Sequence, residues 1–134
     1  MPPPIHDTLR AIMGAYLQGD LAPLMAIASD DIVWDSNARR SQFRFGGVFK
    51  GRVGLQEALS LIASEFAMLK YDVRELAGEG DTVWALSDVV LSEHKTGKRA
   101  AFRLANRWQF KDGKLIQLTE FFDTAGVLAD LGRL

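Results

Sequence analysis

The first half of the chain has apolar residues at the three- and four-residue spacing of amphipathic helices. One helix is predicted before Gly19, with its apolar positions at Ile5, Leu9, Ile12, Met13, Tyr16 and Leu17. A second, shorter helix is expected after Asp20, and the clearest helical period runs over residues 53–68. Between these helices, residues 32–35 are predicted to form a short strand. Residues 36–52 have no clear period and are expected to form a long loop or short strand over an apolar surface.

From Tyr71 onward the apolar spacing changes to two, which is the period of β-strands. The pattern predicts strands over residues 71–77, 82–93, 98–110 and 115–122. Gly97 and Gly113 fall in separators that are typical of tight hairpins, since glycine readily adopts a positive φ. Thr124 is placed to cap a closing helix. Helices followed by a meander of long strands indicate an α+β fold, in which a curved antiparallel sheet forms a cone wrapped on the N-terminal helices.

The composition is that of an ordinary globular domain, with 134 residues of which 48% are hydrophobic and 25% charged. No linker or repeat interrupts the pattern, so residues 1–134 are predicted to form a single domain. The net charge of −1 offers no basic surface for nucleic acid or an anionic membrane. No apolar run approaches the ~20 residues that span a bilayer. The Met1–Pro4 segment lacks a signal-peptide pattern, so we expect a cytoplasmic protein.

The alternation along the last two strands predicts which side chains face inward. The inward row of the strand at 98–110 is Phe102, Leu104, Asn106, Trp108 and Phe110. The same parity gives an inward row of Ile116, Leu118, Glu120 and Phe122 in the next strand. Asn106 and Glu120 are the polar positions in these apolar rows. A buried amide or carboxyl needs a partner, which can be the protein, a water or a ligand.

Glu120 is one candidate for proton chemistry. An apolar cavity disfavours the charged form of a carboxyl and raises its pKa, which suits a proton-transfer residue near neutral pH. The alternative is a structural carboxylate, either ion-paired with Arg39, Arg103 or Arg107, or located near the mouth of the cavity where it reaches water.

Two aspartates at strand ends are further candidates. Asp35 follows Trp34 and is either a functional group at the pocket rim or a cap of the following loop. Asp123 ends the last strand, where it could cap the closing helix. His6 and His94 have no partner at metal-ligand spacing, and the chain has no cysteine, so neither a metal nor a cofactor is expected.

Aromatic residues are predicted to shape the pocket for a small hydrophobic organic ligand. These residues are Trp34, Phe43, Phe45, Phe49, Phe102, Trp108, Phe110 and Phe122. The outward face of the sheet is also apolar, at Trp84, Leu86, Val90 and Phe121. An apolar face of this kind is expected to be covered by a second copy of the chain, so we predict a homodimer.

Two runs of sequence resemble a known superfamily. The run YLQGD at 16–20, with SDDIVWD at 29–35, resembles the opening of the nuclear-transport-factor-2-like superfamily. The run NRWQFKDGK at 106–114, with TEFFD at 119–123, is similar to the SnoaL-like and ketosteroid-isomerase-related branches. The resemblance covers nearly the whole chain and implies a cone of the same kind, an α+β roll of cystatin type.

The resemblance also implies roles for single residues. Asp35 falls where ketosteroid isomerases have their general base, and Asn106 where they have a protonated aspartic acid that donates to the oxyanion. The tyrosine of that oxyanion hole falls near Ile12, which has no donor, so a true steroid isomerase is not implied. Asp123 matches an aspartate that SnoaL-like cyclases use as acid or base.

The leading hypothesis is therefore a cofactor-independent enzyme of isomerase or cyclase type, which transfers a proton next to a carbonyl. Asp35 or Asp123 would act as the base and Glu120 as a second carboxyl. Asn106 and the Trp108 indole would serve as hydrogen-bond donors. The alternatives are a non-catalytic small-ligand-binding domain of the same fold and a scaffold for protein interaction.

Overall fold

The structure is a computed structural model that describes residues 4–134. Residues 1–3, which belong to the segment without a signal-peptide pattern, lie outside the described residues. The chain begins with helices α1 (Pro4–Leu17) and α2 (Ala22–Ile27), strands β1 (Ala28–Ser36) and β2 (Gly47–Lys50), and helix α3 (Gly51–Glu65). It continues with strands β3 (Phe66–Ala77), β4 (Thr82–Glu93), β5 (Arg99–Lys111) and β6 (Lys114–Phe122), and it ends with helix α4 (Thr124–Asp130).

The six strands form one sheet in the order β2-β1-β6-β5-β4-β3. Helix α3 packs on β1 and β2, and α1 packs on β3, so the helices lie against a curved, open sheet. This architecture confirms the predicted α+β cone. One pairing departs from the predicted antiparallel sheet, because β1 runs parallel to β6. These two strands are far apart along the chain, and no local pattern indicates their relative direction.

Several element boundaries differ from the sequence prediction. The helix predicted at 53–68 ends at Glu65, because Phe66 and Met68 pair with β4 instead. Strand β1 begins at Ala28, before the predicted start at residue 32, and β3 begins at Phe66, before the predicted start at residue 71. In each case hydrogen bonding to a neighbouring strand satisfies backbone groups, and this tertiary pairing overrides the local apolar period.

A bulge near the start of β6 corrects the predicted inward row. Gln117 pairs with Gln109, but the next pair joins Leu115 to Phe110, so Ile116 is an extra residue in the ladder. Leu115 is therefore fully buried and Ile116 is exposed, the reverse of the simple alternation. The alternation holds over the rest of β6.

The hairpin between β5 and β6 has the turn chemistry expected from its sequence. Asp112 and Gly113 both have positive φ, 51° and 76°, and Lys111 pairs with Lys114. This two-residue turn matches the twist of the strands on either side. The hairpin therefore fixes β6 against β5, which brings their inward rows side by side.

The outward face of the sheet carries an apolar patch. Trp84 and Phe121 are 41% and 44% exposed, and their rings stack with centroids 6.2 Å apart. Leu86 and Val90 are half-buried on the same side of β4. Within residues 4–134, no helix is both long and apolar enough to cross a membrane.

Candidate functional site

An apolar cavity lies between the sheet and the helices. The cavity volume in which the centre of a water molecule can lie is about 80 Å³. A single water molecule needs about 10–15 Å³ of such volume. The cavity can therefore hold several waters or one compact organic molecule. Its aromatic walls are Trp34, Phe43, Phe45, Phe66, Phe102, Trp108 and Phe122, with Tyr16 and Tyr71 beside them.

Six of the eight aromatic residues predicted to line the pocket do line it, and two do not. Phe49 is buried elsewhere, beneath the Arg40 guanidinium, whose carbon lies 4.4 Å from the ring centroid. Phe110 is buried too, but it borders a separate shallow depression beside Ile5. The prediction was wrong for these two positions. Alternation and composition predict whether a side chain is buried or exposed, but they do not predict which of several buried regions it lies in.

The segment between β1 and β2 is held over the cavity by hydrogen bonds. The Asn37 side chain donates from Nδ2 to the Phe122 carbonyl at 3.0 Å, and its Oδ1 accepts from the Phe122 amide at 3.3 Å. The Trp34 indole donates to the Phe45 carbonyl at 3.2 Å. Phe43 and Phe45 then pack against the Phe122 ring, with centroids 5.5 and 6.3 Å from it. A segment without apolar period thus becomes one wall of the site.

Asp35 does not line the cavity. It is half-buried on the opposite face of β1 from Trp34 and Ser36, because successive side chains of a strand point to opposite faces. Ser36 also takes the capping role, since its Oγ accepts from the Ala38 amide at 3.2 Å. The structure therefore moves the general-base assignment away from Asp35.

Asp123 does not line the cavity either. Its Oδ1 accepts from the Gly126 amide at 2.9 Å and caps the N-terminus of α4. This is the structural alternative considered from the sequence, and it leaves an exposed carboxylate at the end of β6.

Glu120 lies inside the cavity and is 6% exposed. Burial raises its pKa from 4.5 to about 7, and the neighbouring Ser36 hydroxyl opposes part of this rise. No salt bridge within residues 4–134 involves Glu120. Arg103 lies beside Asp88, and Arg107 lies over the outward Trp84 ring, so the ion-pair alternative is wrong for both.

Asn106 also lines the cavity and is buried. It pairs with Glu120 across β5 and β6, so the two polar side chains occupy neighbouring positions on one inward face. The Tyr71 hydroxyl donates to Asn106 Oδ1 at 3.3 Å. The two polar residues singled out from alternation are therefore together in the cavity.

Two tyrosines in the site were not among the predicted site residues. Burial is the main cause that raises the pKa of both Tyr16 and Tyr71, and the negative charge of Glu120 adds to it. Both phenols therefore remain protonated at neutral pH. Tyr16 lies on the inward face of α1, one turn after Ile12, which also lines the cavity. The period-two pattern that starts at Tyr71 was the available signal for the second tyrosine.

Within residues 4–134, no group of three histidine or carboxylate side chains is close enough together to hold a metal ion. Among the described residues, the polar groups of the cavity are one carboxyl, one amide, two phenols and two indole N–H groups, of which that of Trp34 is already bonded to Phe45. Such a set can bind an oxygen-bearing ring compound and exchange a proton with it.

Comparison with solved structures identifies the fold. A nuclear-transport-factor-2-like protein of unknown function from Burkholderia pseudomallei superposes with a TM-score of 0.84 at 20% identity, covering 92% of this chain and 94% of that one. A candidate isomerase from Rhodopseudomonas palustris gives 0.83 at 23% identity and 99% coverage of both chains. IdmH, a candidate polyketide cyclase from Streptomyces antibioticus, gives 0.77 at 20% identity, covering 97% and 99%.

No curated protein gives a significant sequence match to the chain. The family model of the SnoaL-like domain, however, matches residues 9–118. This match covers most of the chain, from within α1 through strands β1 to β5 and into β6, and it ends before Glu120 and Phe122. The chain therefore belongs to the SnoaL-like domain family.

Proposed function

We propose that the cavity binds a small hydrophobic carbonyl compound and that Glu120 moves a proton at the carbon next to the carbonyl. The observation that carries this proposal is the position of Glu120. Among the described residues that line the cavity, it is the only one with a carboxyl group, and its pKa is about 7. A general acid or base is most effective when its pKa lies near the operating pH.

The proton transfer can be written with this chain's own groups. The Glu120 carboxylate takes the proton from the α-carbon, and the C–H electron pair forms a C=C bond while negative charge moves to the carbonyl oxygen. The protonated Glu120 can then return the proton to the same carbon or to another one. Enolate formation is a step shared by isomerisation and by ring closure through carbon. It thus suits the isomerase and cyclase descriptions of the structural neighbours.

The test uses α-proton exchange, because this partial reaction needs no knowledge of the natural substrate. The probes are 2-tetralone and 1-indanone in deuterated buffer, followed by proton NMR. The wild-type protein should accelerate loss of the α-proton signal above the buffer rate. Replacing Glu120→Gln should lower that acceleration by ~10²–10⁴-fold, the usual effect of losing a general base.

Asp35→Asn is the matched control for this test. It makes the same carboxylate-to-amide change on the outward face of β1, so exchange should stay near the wild-type rate. Exchange by Glu120→Gln at the wild-type rate would refute the proposal, and so would loss of activity in Asp35→Asn alone. Binding of the ketones without any accelerated exchange would favour the non-catalytic ligand-binding domain instead.

We also propose that the apolar patch of Trp84 and Phe121 is the interface of a homodimer. A stable interface should bury at least ~1,000 Å² in total. Light scattering is therefore expected to give twice the chain mass at micromolar concentration, and Trp84→Glu is expected to give the monomer mass, because it would bury an unpaired charge at the interface. Val53→Glu, an apolar-to-glutamate change at an exposed position of α3, is the control and should remain dimeric. A monomeric wild type would contradict this proposal.

A further inference from the structure

One buried donor in the cavity has no partner. Trp108 is 2% exposed and lines the cavity, yet its Nε1 makes no hydrogen bond with any described residue. The other buried indole, that of Trp34, donates to the Phe45 carbonyl. A buried N–H without an acceptor costs about 1–3 kcal/mol, and buried tryptophan N–H groups usually find a partner. Trp108 is therefore short of one acceptor, which a ligand oxygen can supply.

A second donor lies two residues away on the same strand. Asn106 and Trp108 are on the inward face of β5, since alternate residues share a face. Tyr71 donates to Asn106 Oδ1, so the acceptor end of the amide is occupied by the protein. This contact leaves the Nδ2 end of Asn106 as the group that can serve a ligand. Because Tyr71 stays protonated, it acts as a donor throughout the neutral pH range.

The donors and the carboxyl are adjacent on the sheet. Asn106 is directly opposite Glu120, and Trp108 is directly opposite Leu118, in the register of β5 and β6. Side chains directly opposite one another have Cβ atoms about 4.5–5.5 Å apart. An oxygen held between Asn106 and Trp108 therefore places the carbon next to its carbonyl group within reach of Glu120.

We infer that Trp108 Nε1 and Asn106 Nδ2 together hold the carbonyl oxygen of the ligand, and that Tyr71 is a positioning residue that keeps Asn106 turned as a donor. This inference rests on the proposed function and adds that the ligand needs an oxygen acceptor. The ligand must present an oxygen acceptor to this wall, so a ketone or quinone fits and a hydrocarbon of the same shape does not. Donors placed at the oxygen also stabilise the negative charge that develops there when Glu120 removes the proton.

The first experiment compares 2-tetralone with tetralin, which has the same rings and no oxygen. Spectra of the ¹⁵N-labelled protein should show the Trp108 indole proton moving downfield with the ketone and not with the hydrocarbon. The Trp34 indole is an internal control, because its donor is already engaged by Phe45. Signals are assigned from the Trp108→Phe and Trp84→Phe variants. An unmoved Trp108 signal at saturating ketone would overturn the inference.

The second experiment measures the ratio of ketone affinity to hydrocarbon affinity. Trp108→Phe and Tyr71→Phe should each lower this ratio by about 3- to 10-fold, the value of one neutral hydrogen bond, and Tyr71→Phe should leave tetralin affinity the same. Trp84→Phe, outside the cavity, should keep the wild-type ratio. A merely structural role for Tyr71 would weaken both ligands equally, and an unchanged ratio in both variants would refute the donor pair.

The results separate this inference from the proposed function. Ketone preference that depends on Trp108 and Tyr71, without α-proton exchange, would leave the donor pair standing and refute the catalytic role of Glu120. If exchange depends on Glu120 and neither variant changes the ketone preference, the catalytic role of Glu120 would stand and the donor pair would be refuted. If Trp108→Phe does not fold, the Tyr71→Phe ratio still decides the question.

Discussion

Replacing Glu120→Gln is expected to increase the free energy of unfolding by about 3 kcal/mol at about pH 9, with no change at about pH 4. Burial raises the pKa of Glu120 from 4.5 to about 7, so the folded protein favours the protonated form more than the unfolded chain does. At high pH the wild type must hold an unpaired carboxylate in the cavity. Glutamine keeps the shape without that charge.

The pH window follows from the direction of the shift. A carboxyl whose pKa is raised on folding contributes its full stability below the unfolded value of 4.5, and this contribution is lost as the pH rises to about 7. The stability difference between variant and wild type should therefore grow between these two values and level off above them. Urea denaturation at a series of pH values measures it directly, and other carboxylates largely cancel in the comparison.

Glu93→Gln is the matched control, with the opposite sign expected. The Glu93 carboxylate accepts from Thr96 Oγ1 and is paired with Arg133, and these contacts lower its pKa despite some desolvation. Its contribution is present above the unfolded pKa and is lost as the pH falls through the folded pKa. Glu93→Gln should thus destabilise the protein at neutral pH and matter less in acid. Destabilisation by Glu120→Gln at high pH would show that Glu120 has an unseen cationic partner.

Replacing Phe43→Ala is expected to cost about 3–5 kcal/mol of unfolding free energy, the range for removing a fully buried phenylalanine. Phe43 is among the largest fully buried side chains, and its ring packs against those of Phe45 and Phe122, with centroids 5.4 and 5.5 Å away. Its removal enlarges a cavity that is already present, and the surrounding walls cannot fully collapse into it. Thermal and urea unfolding measure the loss.

Arg44→Ala is the control for this prediction. Arg44 is the next residue, but its side chain is mostly exposed and its ion pair with Glu65 at 3.7 Å is superficial. Surface pairs contribute about 0–1 kcal/mol, so the change should be small. Equal effects of the two substitutions would mean that the 36–46 segment is not part of the core.

The amino-acid sequence by itself determines the class of fold and the presence of an interior with two polar groups. The change from helical spacing to period two at about residue 71 separates the helix-rich first half from the meander of long strands, because each period reflects one backbone geometry. The same alternation places Asn106 and Glu120 inward, beside Trp108 and Phe122. The tight Asp112–Gly113 hairpin keeps the two strands in register.

The site's chemistry is decided by tertiary contacts that no local pattern contains. Asp35 is outward because β1 joins β6 in a parallel pairing that turns Trp34 to the cavity and buries Ser36 on the same face. Tyr71 reaches Asn106 across 35 residues of sequence, and within residues 4–134 Glu120 has no ion pair because Arg103 and Arg107 lie on the outer face. The alternation of residues along a strand predicts only which face of that strand a side chain is on. Which charges and donors share an enclosed space depends on how the sheet curves and which strands it joins, and only the folded chain defines that.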